Sequence, residues 1–225
     1  GQFNIAKQVP GKEEFYETLR YFKRKIELQP NIELVLNHTA TYEELSQANF
    51  DEIVVATGVT PRQLQFEGID HPKVLSYIQV LRERVPVGKR VAIIGAGGIG
   101  FDTAEYLSHD GDSSSLNPEK FYAEWGIDTS YAHVGGLKQP ELEKSDREIY
   151  LLQRKKASVG AGLGKTTGWI HRTGLKHRDV KMIAGASYDK VDDQGLHITV
   201  DGNTSILEVD HVVICAGQES YTAMY

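Results

Sequence analysis

The sequence predicts an α/β fold: a parallel, Rossmann-like dinucleotide-binding unit that carries a β-meander. Three observations predict it. An apolar run, Val91 to Ile94, enters the glycine turn Gly95-Ala96-Gly97-Gly98-Ile99-Gly100, which opens into a helical pattern reaching Leu107. A second apolar run, EIYLLQR over 148–154, resumes after a polar interval. Short alternating segments at 186–191, 196–200 and 205–209 are separated by Asp193-Gln194-Gly195 and Asp201-Gly202-Asn203, as in a meander.

The glycines have separate jobs. Gly95 allows a tight turn, Gly97 lets the backbone approach a pyrophosphate, and Gly100 lets the helix sit close to the strand. The helix N-terminus behind them, with Gly98 and Ile99, offers unpaired N–H groups and a positive dipole end to phosphates.

Ahead of this unit, residues 12–28 read as an amphipathic helix with Phe15, Leu19, Phe22 and Ile26 on one stripe. Ile32 to Leu36 reads as a short strand, and Thr41 with Glu44 as the capping box of a brief helix. FDEIVVATGVTPR, 50–62, reads as a buried strand running into the turn Ala56-Thr57-Gly58. Residues 73–85 supply a connecting strand and a helix through Leu75, Ile78 and Leu81. Beyond the glycine unit, residues 109–146 are polar and turn-rich, an insertion whose Tyr122 and Trp125 predict partial packing. A helix is expected around Thr166 to His177, with Trp169, Ile170 and Leu175 toward the core, then strands at 180–183 and 212–215.

Composition narrows the function classes. A chain of 225 residues with 40% hydrophobic and 25% charged residues can build a substantial core. A net charge of −6, with no basic tract, argues against nucleic acid as a partner. No apolar run reaches the roughly 20 residues a membrane span needs. Cys215 is the single cysteine, which excludes an internal disulfide, a CxxC redox pair and a cysteine-bound iron–sulfur cluster within this chain. It fits a reducing, cytoplasmic setting and reads as a buried strand thiol. The eight histidines lack metal-ligand spacing. The start at Gly1, without methionine, suggests an excised piece.

The end of the second strand bears on the choice of cofactor. A carboxylate there would bind a ribose 2′-hydroxyl and repel a 2′-phosphate. Here stand Arg154, Lys155 and Lys156. Two charge-assisted contacts of about 1.5–3 kcal/mol each would favour NADPH over NADH by roughly 3–6 kcal/mol before desolvation. A solvated basic turn is the alternative reading. Arg154 also lies well beyond the usual ~20-residue interval after the glycines, and the 109–146 insertion has to account for that. SVGAGLGKTTGW, 158–169, resembles a Walker loop around Gly164-Lys165-Thr166, but the strict pattern needs glycine where Val159 stands. A glycine-rich loop near the cofactor, with Lys165 as a candidate contact, is the reading preferred to nucleotide hydrolysis.

Together these residues resemble the two-dinucleotide-binding flavoprotein reductases, and within them the C-terminal part of the bacterial NADPH-dependent 2,4-dienoyl-CoA reductases of the NADH:flavin oxidoreductase family. GQFNIAKQVPGKEEFYETLRY, the ATG turn, HPKVLSY, VAIIGAGGIGFDTAEYLS, EWGID, LQRK, GLGKTTGWIHRTGLK and VVICAGQE carry the resemblance along nearly the whole chain. It implies a relay in which NADPH reduces FAD, and electrons pass through an iron–sulfur cluster to FMN and then to a dienoyl-CoA in fatty-acid β-oxidation. FMN, the cluster and the substrate site would lie in an N-terminal TIM barrel outside this chain. Gly95, Gly97 and Gly100 with Arg154 and Lys155 would hold NADPH. Ala56-Thr57-Gly58 and Ala216-Gly217-Gln218 would mark the crossings between FAD and NADPH domains.

The implied division is a partial FAD-binding domain (1–74), an NADPH-binding domain (75–212) and a return into the FAD domain (213–225). The family's FAD glycine fingerprint and its acidic-glycine FAD turn are not in the chain, and Ser220 stands where such reductases often place proline. Such a piece is expected to bind NADPH without turning over and to self-associate through its incomplete FAD portion. No acid–base dyad is needed, since hydride transfer between cofactors asks the protein mainly to position two rings. The alternatives are the nucleotide module of another flavin oxidoreductase, such as a trimethylamine-dehydrogenase-like enzyme, and a non-catalytic nucleotide sensor.

Overall fold

A computed structural model describes residues 1–222. Its centre is a five-stranded parallel sheet. In chain order the elements are α1 (Phe3–Ala6), α2 (Phe15–Glu27), α3 (Tyr42–Gln47), β1 (Val59–Pro61), β2 (Val74–Ser76), β3 (Arg90–Ile94) and α4 (Gly98–Ser108). Then come α5 (Pro118–Trp125), β4 (Glu148–Gln153), α6 (Gly168–His177), β5 (Lys181–Ala184), β6 (Ala186–Asp192), β7 (Gly195–Val200), β8 (Asn203–Leu207), β9 (His211–Ile214) and β10 (Gln218–Ser220). The parallel sheet runs β2-β9-β3-β4-β5, β6-β7-β8 form the antiparallel meander, and β1 pairs with β10.

Strand alternation builds two cores from one sheet. Val91, Ile93, Ile149, Leu151 and Val213 face Phe101, Ala104 and Leu107 of α4. Ala92, Ile94, Leu152 and Val212 face Leu196 and Ile198 of the meander. Both faces are covered, so β3 reads as a continuous apolar run and Val91 to Ile94 are wholly buried. Burying a Leu or Ile side chain in this way contributes about 1.5–3 kcal/mol.

The expected connecting elements at 73–85 form as β2 and a π-helical turn over Gln79–Glu83. Ile5 and Val9 of the N-terminal segment pack into the α4-side core with Tyr77, Val80 and Leu81. Lys12 Nζ donates to both oxygens of Asp102 at 2.6 Å, tying that segment to α4.

Residues 14–58 depart from expectation. α2 begins at Phe15 rather than 12, and its apolar stripe contains no buried residue. Ile32 to Leu36 and residues 50–56 form no strand. Leu36, Phe50 and Val54 are 69%, 60% and 87% exposed. An apolar run becomes a strand only beside a partner edge, and among the described residues no strand lies alongside either run. The capping box does form: Thr41 Oγ1 accepts from the Glu44 N–H at 3.2 Å and Glu44 Oε2 accepts from the Thr41 N–H at 2.8 Å.

The 109–146 insertion packs in part. Asn117 caps α5, and Trp125 lies edge-on to Trp169 at 6.4 Å. Arg178, buried at the end of α6, donates to Glu124 Oε1 at 3.1 Å. Leu175 is buried as expected, whereas Trp169 and Ile170 stay at the surface, on the flank of α6 that meets Trp125 of the insertion. The described residues contain no helix long and apolar enough to cross a membrane and no cluster of three or more metal-ligand residues.

Candidate functional site

A cleft of about 660 Å³ opens at the carboxyl ends of β3, β4 and β9, where ligands bind in open α/β sheets. Gly95, Gly97, Gly98, Ile99, Arg154, Lys155, Ala216, Gly217 and Gln218 all line it. The sheet order explains the convergence: β3 lies between β4 and β9, so three distant turns meet at one edge.

The turn's glycines divide into two kinds. Gly95 has φ +108°, and a Cβ there would stand 2.4 Å from the Cys215 carbonyl oxygen. Gly100 lies beneath the cleft, and a Cβ there would stand 1.7 Å from the Gly95 carbonyl oxygen. These two permit close packing. At Gly97 and Gly98 a Cβ would meet nothing within 4 Å, so the backbone faces open space. Gly97 is also the N-cap of α4 and supplies no side-chain cap. The first N–H groups of α4 therefore remain available to an anion in the cleft.

The basic end of β4 is ordered by its own strand. Gln153 Nε2 donates to the carbonyls of Lys155 at 3.0 Å and Ala157 at 2.6 Å. Lys156 is drawn off to Asp201 at 2.8 Å. Arg154 and Lys155 are exposed, and no carboxylate of the described residues lies within ion-pair distance of either. At the opposite end, Gln218 Nε2 donates to the hydroxyl of buried Tyr77 at 2.9 Å. Burial pushes the Cys215 thiol up to about 12, and its Sγ donates to Thr103 Oγ1 at 3.4 Å. Cys215 is a neutral packing thiol at the cleft floor.

Lys165 is the exception among the basic candidates. It is exposed and does not line the cleft, to which its loop contributes Gly162 alone. Ala56, Thr57 and Gly58 also lie outside it. They run beside the return segment: the Tyr221 N–H donates to Gly58 O at 3.0 Å, and Thr57 Oγ1 donates to Tyr221 O at 2.8 Å. β1 and β10 continue this ribbon with Pro61 opposite Gln218. The last part of the expected 213–225 return, residues 223–225, lies outside the described residues.

Sequence reasoning missed the wall facing the glycine turn: Leu64, Gln65 and Phe66 before β2, and Ser187 and Tyr188 on β6. The alternating pattern of 186–191 could have placed Tyr188 with Ala186 on the inward face. Nothing in the sequence announces that this face overlooks the turn.

Comparison with known proteins agrees with this architecture. A metal reductase of Desulforamulus reducens is 25% identical over 239 residues, covering 100% of this chain and 33% of that protein. A cinnamate reductase of Clostridium sporogenes is 27% identical over 194 residues, covering 86% of this chain and 24% of that protein. The chain thus spans a third or less of these relatives. The structure of a 2-naphthoyl-CoA reductase shares the fold over 100% of this chain and 28% of that one, with a TM-score of 0.74 and 24% identity. Residues 4–225 match the pyridine nucleotide-disulphide oxidoreductase family along nearly their whole length, and the chain belongs to that family.

Proposed function

We propose that this chain is the nucleotide-binding segment of a larger flavin-dependent reductase and that its cleft takes NADPH in preference to NADH. The observation that carries the reading is the meeting of open backbone at Gly97 and Gly98, the uncapped N-terminus of α4 and the unpaired Arg154 and Lys155 in one cleft. The nicotinamide, when bound, supplies a hydride. The protein's residues bind and orient: Gly97, Gly98 and Ile99 present N–H groups to the pyrophosphate. Arg154 and Lys155 meet the 2′-phosphate, while Ala216, Gly217 and Gln218, the last held by Tyr77, border the other end.

The finer reading is a 2,4-dienoyl-CoA reductase. FMN, an iron–sulfur cluster and the acyl site would then belong to a TIM barrel of the same polypeptide, and Ala56–Gly58 and Ala216–Gln218 would lie near FAD. The exposed apolar residues between Phe22 and Val54 are the surface through which this segment would meet the rest of that protein or a second copy. The relatives support a second reading of the same class, since a metal reductase and a cinnamate reductase end in other acceptors. The cleft serves either.

Calorimetric titration with NADPH and with NADH tests the reading. Tighter binding of NADPH by tenfold or more is expected. Equal affinities would remove the role of Arg154 and Lys155, and no binding of either would remove the nucleotide reading.

A further inference from the structure

We propose that Tyr188 is the base platform of the cleft, the surface on which the purine of a 2′-phosphorylated adenosine lies, and so a positioning residue for the nucleotide. The inference rests on the nucleotide reading above. Tyr188 lines the same cleft as the glycine turn and Arg154. Its strand is stitched to the basic turn: the Gly185 N–H donates to Lys155 O at 3.0 Å, and Lys156 holds Asp201 at the β7–β8 turn. Arg154 is near enough for its charge to act on the Tyr188 hydroxyl, although burial dominates and pushes that hydroxyl up to about 12. A phosphate held by Arg154 therefore has an aromatic face within one nucleoside's reach.

The strand is also built to aim this ring. Ladder register shifts between Tyr188 and Lys190. Without the shift, Tyr188 and Val191, three residues apart, would fall on opposite faces. With it, Val191 is buried in the meander-side core while Tyr188 keeps the inward face of Ala186. Bulges of this kind re-aim side chains beside functional sites. A base needs an apolar face, and Tyr188 is a large aromatic ring on the Arg154 side of the cleft that is not closed into the core.

Three probes on four proteins decide it: NADPH, adenosine 2′,5′-bisphosphate and reduced nicotinamide mononucleotide, titrated into the wild type, Tyr188→Ala, Tyr188→Leu and Tyr188→Phe. Tyr188→Ala and Tyr188→Leu are expected to weaken NADPH and the bisphosphate by the same factor, about tenfold. The mononucleotide should be unaffected, and Tyr188→Phe should bind like the wild type. Tyr188→Leu keeps the apolar packing of Tyr188, so the test stands even if Tyr188→Ala fails to fold. Unchanged bisphosphate binding in a folded Tyr188→Leu overturns the platform alone. A wild type that binds none of the three probes overturns the nucleotide reading with it.

Discussion

Residues 74–222 and residues 14–58 are similarly provided with apolar side chains, yet the first stretch builds a buried core from part of them and the second buries none. Ile93, Ile149 and Leu151 are wholly buried, while Leu34, Leu36, Phe50 and Val54 are each more than half exposed. The difference lies in partners. β3 has β4 and β9 beside it, α4 on one face and the meander on the other. The 32–36 and 50–56 runs have no neighbouring strand among the described residues. Hydrophobicity proposes a strand, and an adjacent edge makes it one.

The sharpest way to break this contrast is at the glycine turn. Gly100→Val would drive a branched side chain into the Gly95 carbonyl, and thermal unfolding should show a loss of about 3 kcal/mol or more. Gly97→Ala, in open space, should leave stability within about 0.5 kcal/mol while weakening nucleotide binding. Equal destabilisation by the two would erase the division between packing and ligand-facing glycines. Next in size, Leu151→Ala should cost about 2–5 kcal/mol in denaturant titration. Leu36→Ala should stay within about 0.5 kcal/mol, and a matching loss there would show that the exposed stretch is part of the cooperative fold.

Arg154→Ala should reduce NADPH affinity by about 1.5–3 kcal/mol, or roughly 10- to 150-fold, and leave NADH nearly unchanged. Parallel titrations of both cofactors check this. The smallest effect concerns the insertion. Asp128 accepts hydrogen bonds from the Ser130 hydroxyl at 2.5 Å and from the His133 ring at 2.9 Å, which hold its carboxyl below the usual range. A lowered carboxylate stabilises the fold above the ordinary carboxylate range and loses that contribution as pH falls through its own titration. Protection factors over 128–136, with the intrinsic exchange rate divided out, should therefore fall in acid, and Asp128→Ala should remove that fall while β3 and β4 remain protected.

What could be read from the sequence follows the same physics. The glycine turn, its strand and its helix were legible because residues 90–108 specify each other locally. The capping box at Thr41 and the meander turns were legible for that reason too. The 32–36 and 50–56 strands were misread because pairing is non-local. Arg154 and Lys155 could be placed at a strand end by counting, but their freedom from carboxylates depends on Asp201, 45 residues after Lys156, drawing only the third cation away. Lys165 looked like a phosphate contact by pattern and lies outside the cleft by placement. Tyr188 was invisible as a site residue because its facing wall belongs to another sheet.

The most direct test is hydrogen exchange with and without NADPH. The account predicts protection at 95–101, 153–157, 187–188 and 216–218, with residues 14–58 and the Lys165 loop unchanged. Protection centred on 162–168 with none at 95–101 would contradict it, moving the phosphate site to the Walker-like loop.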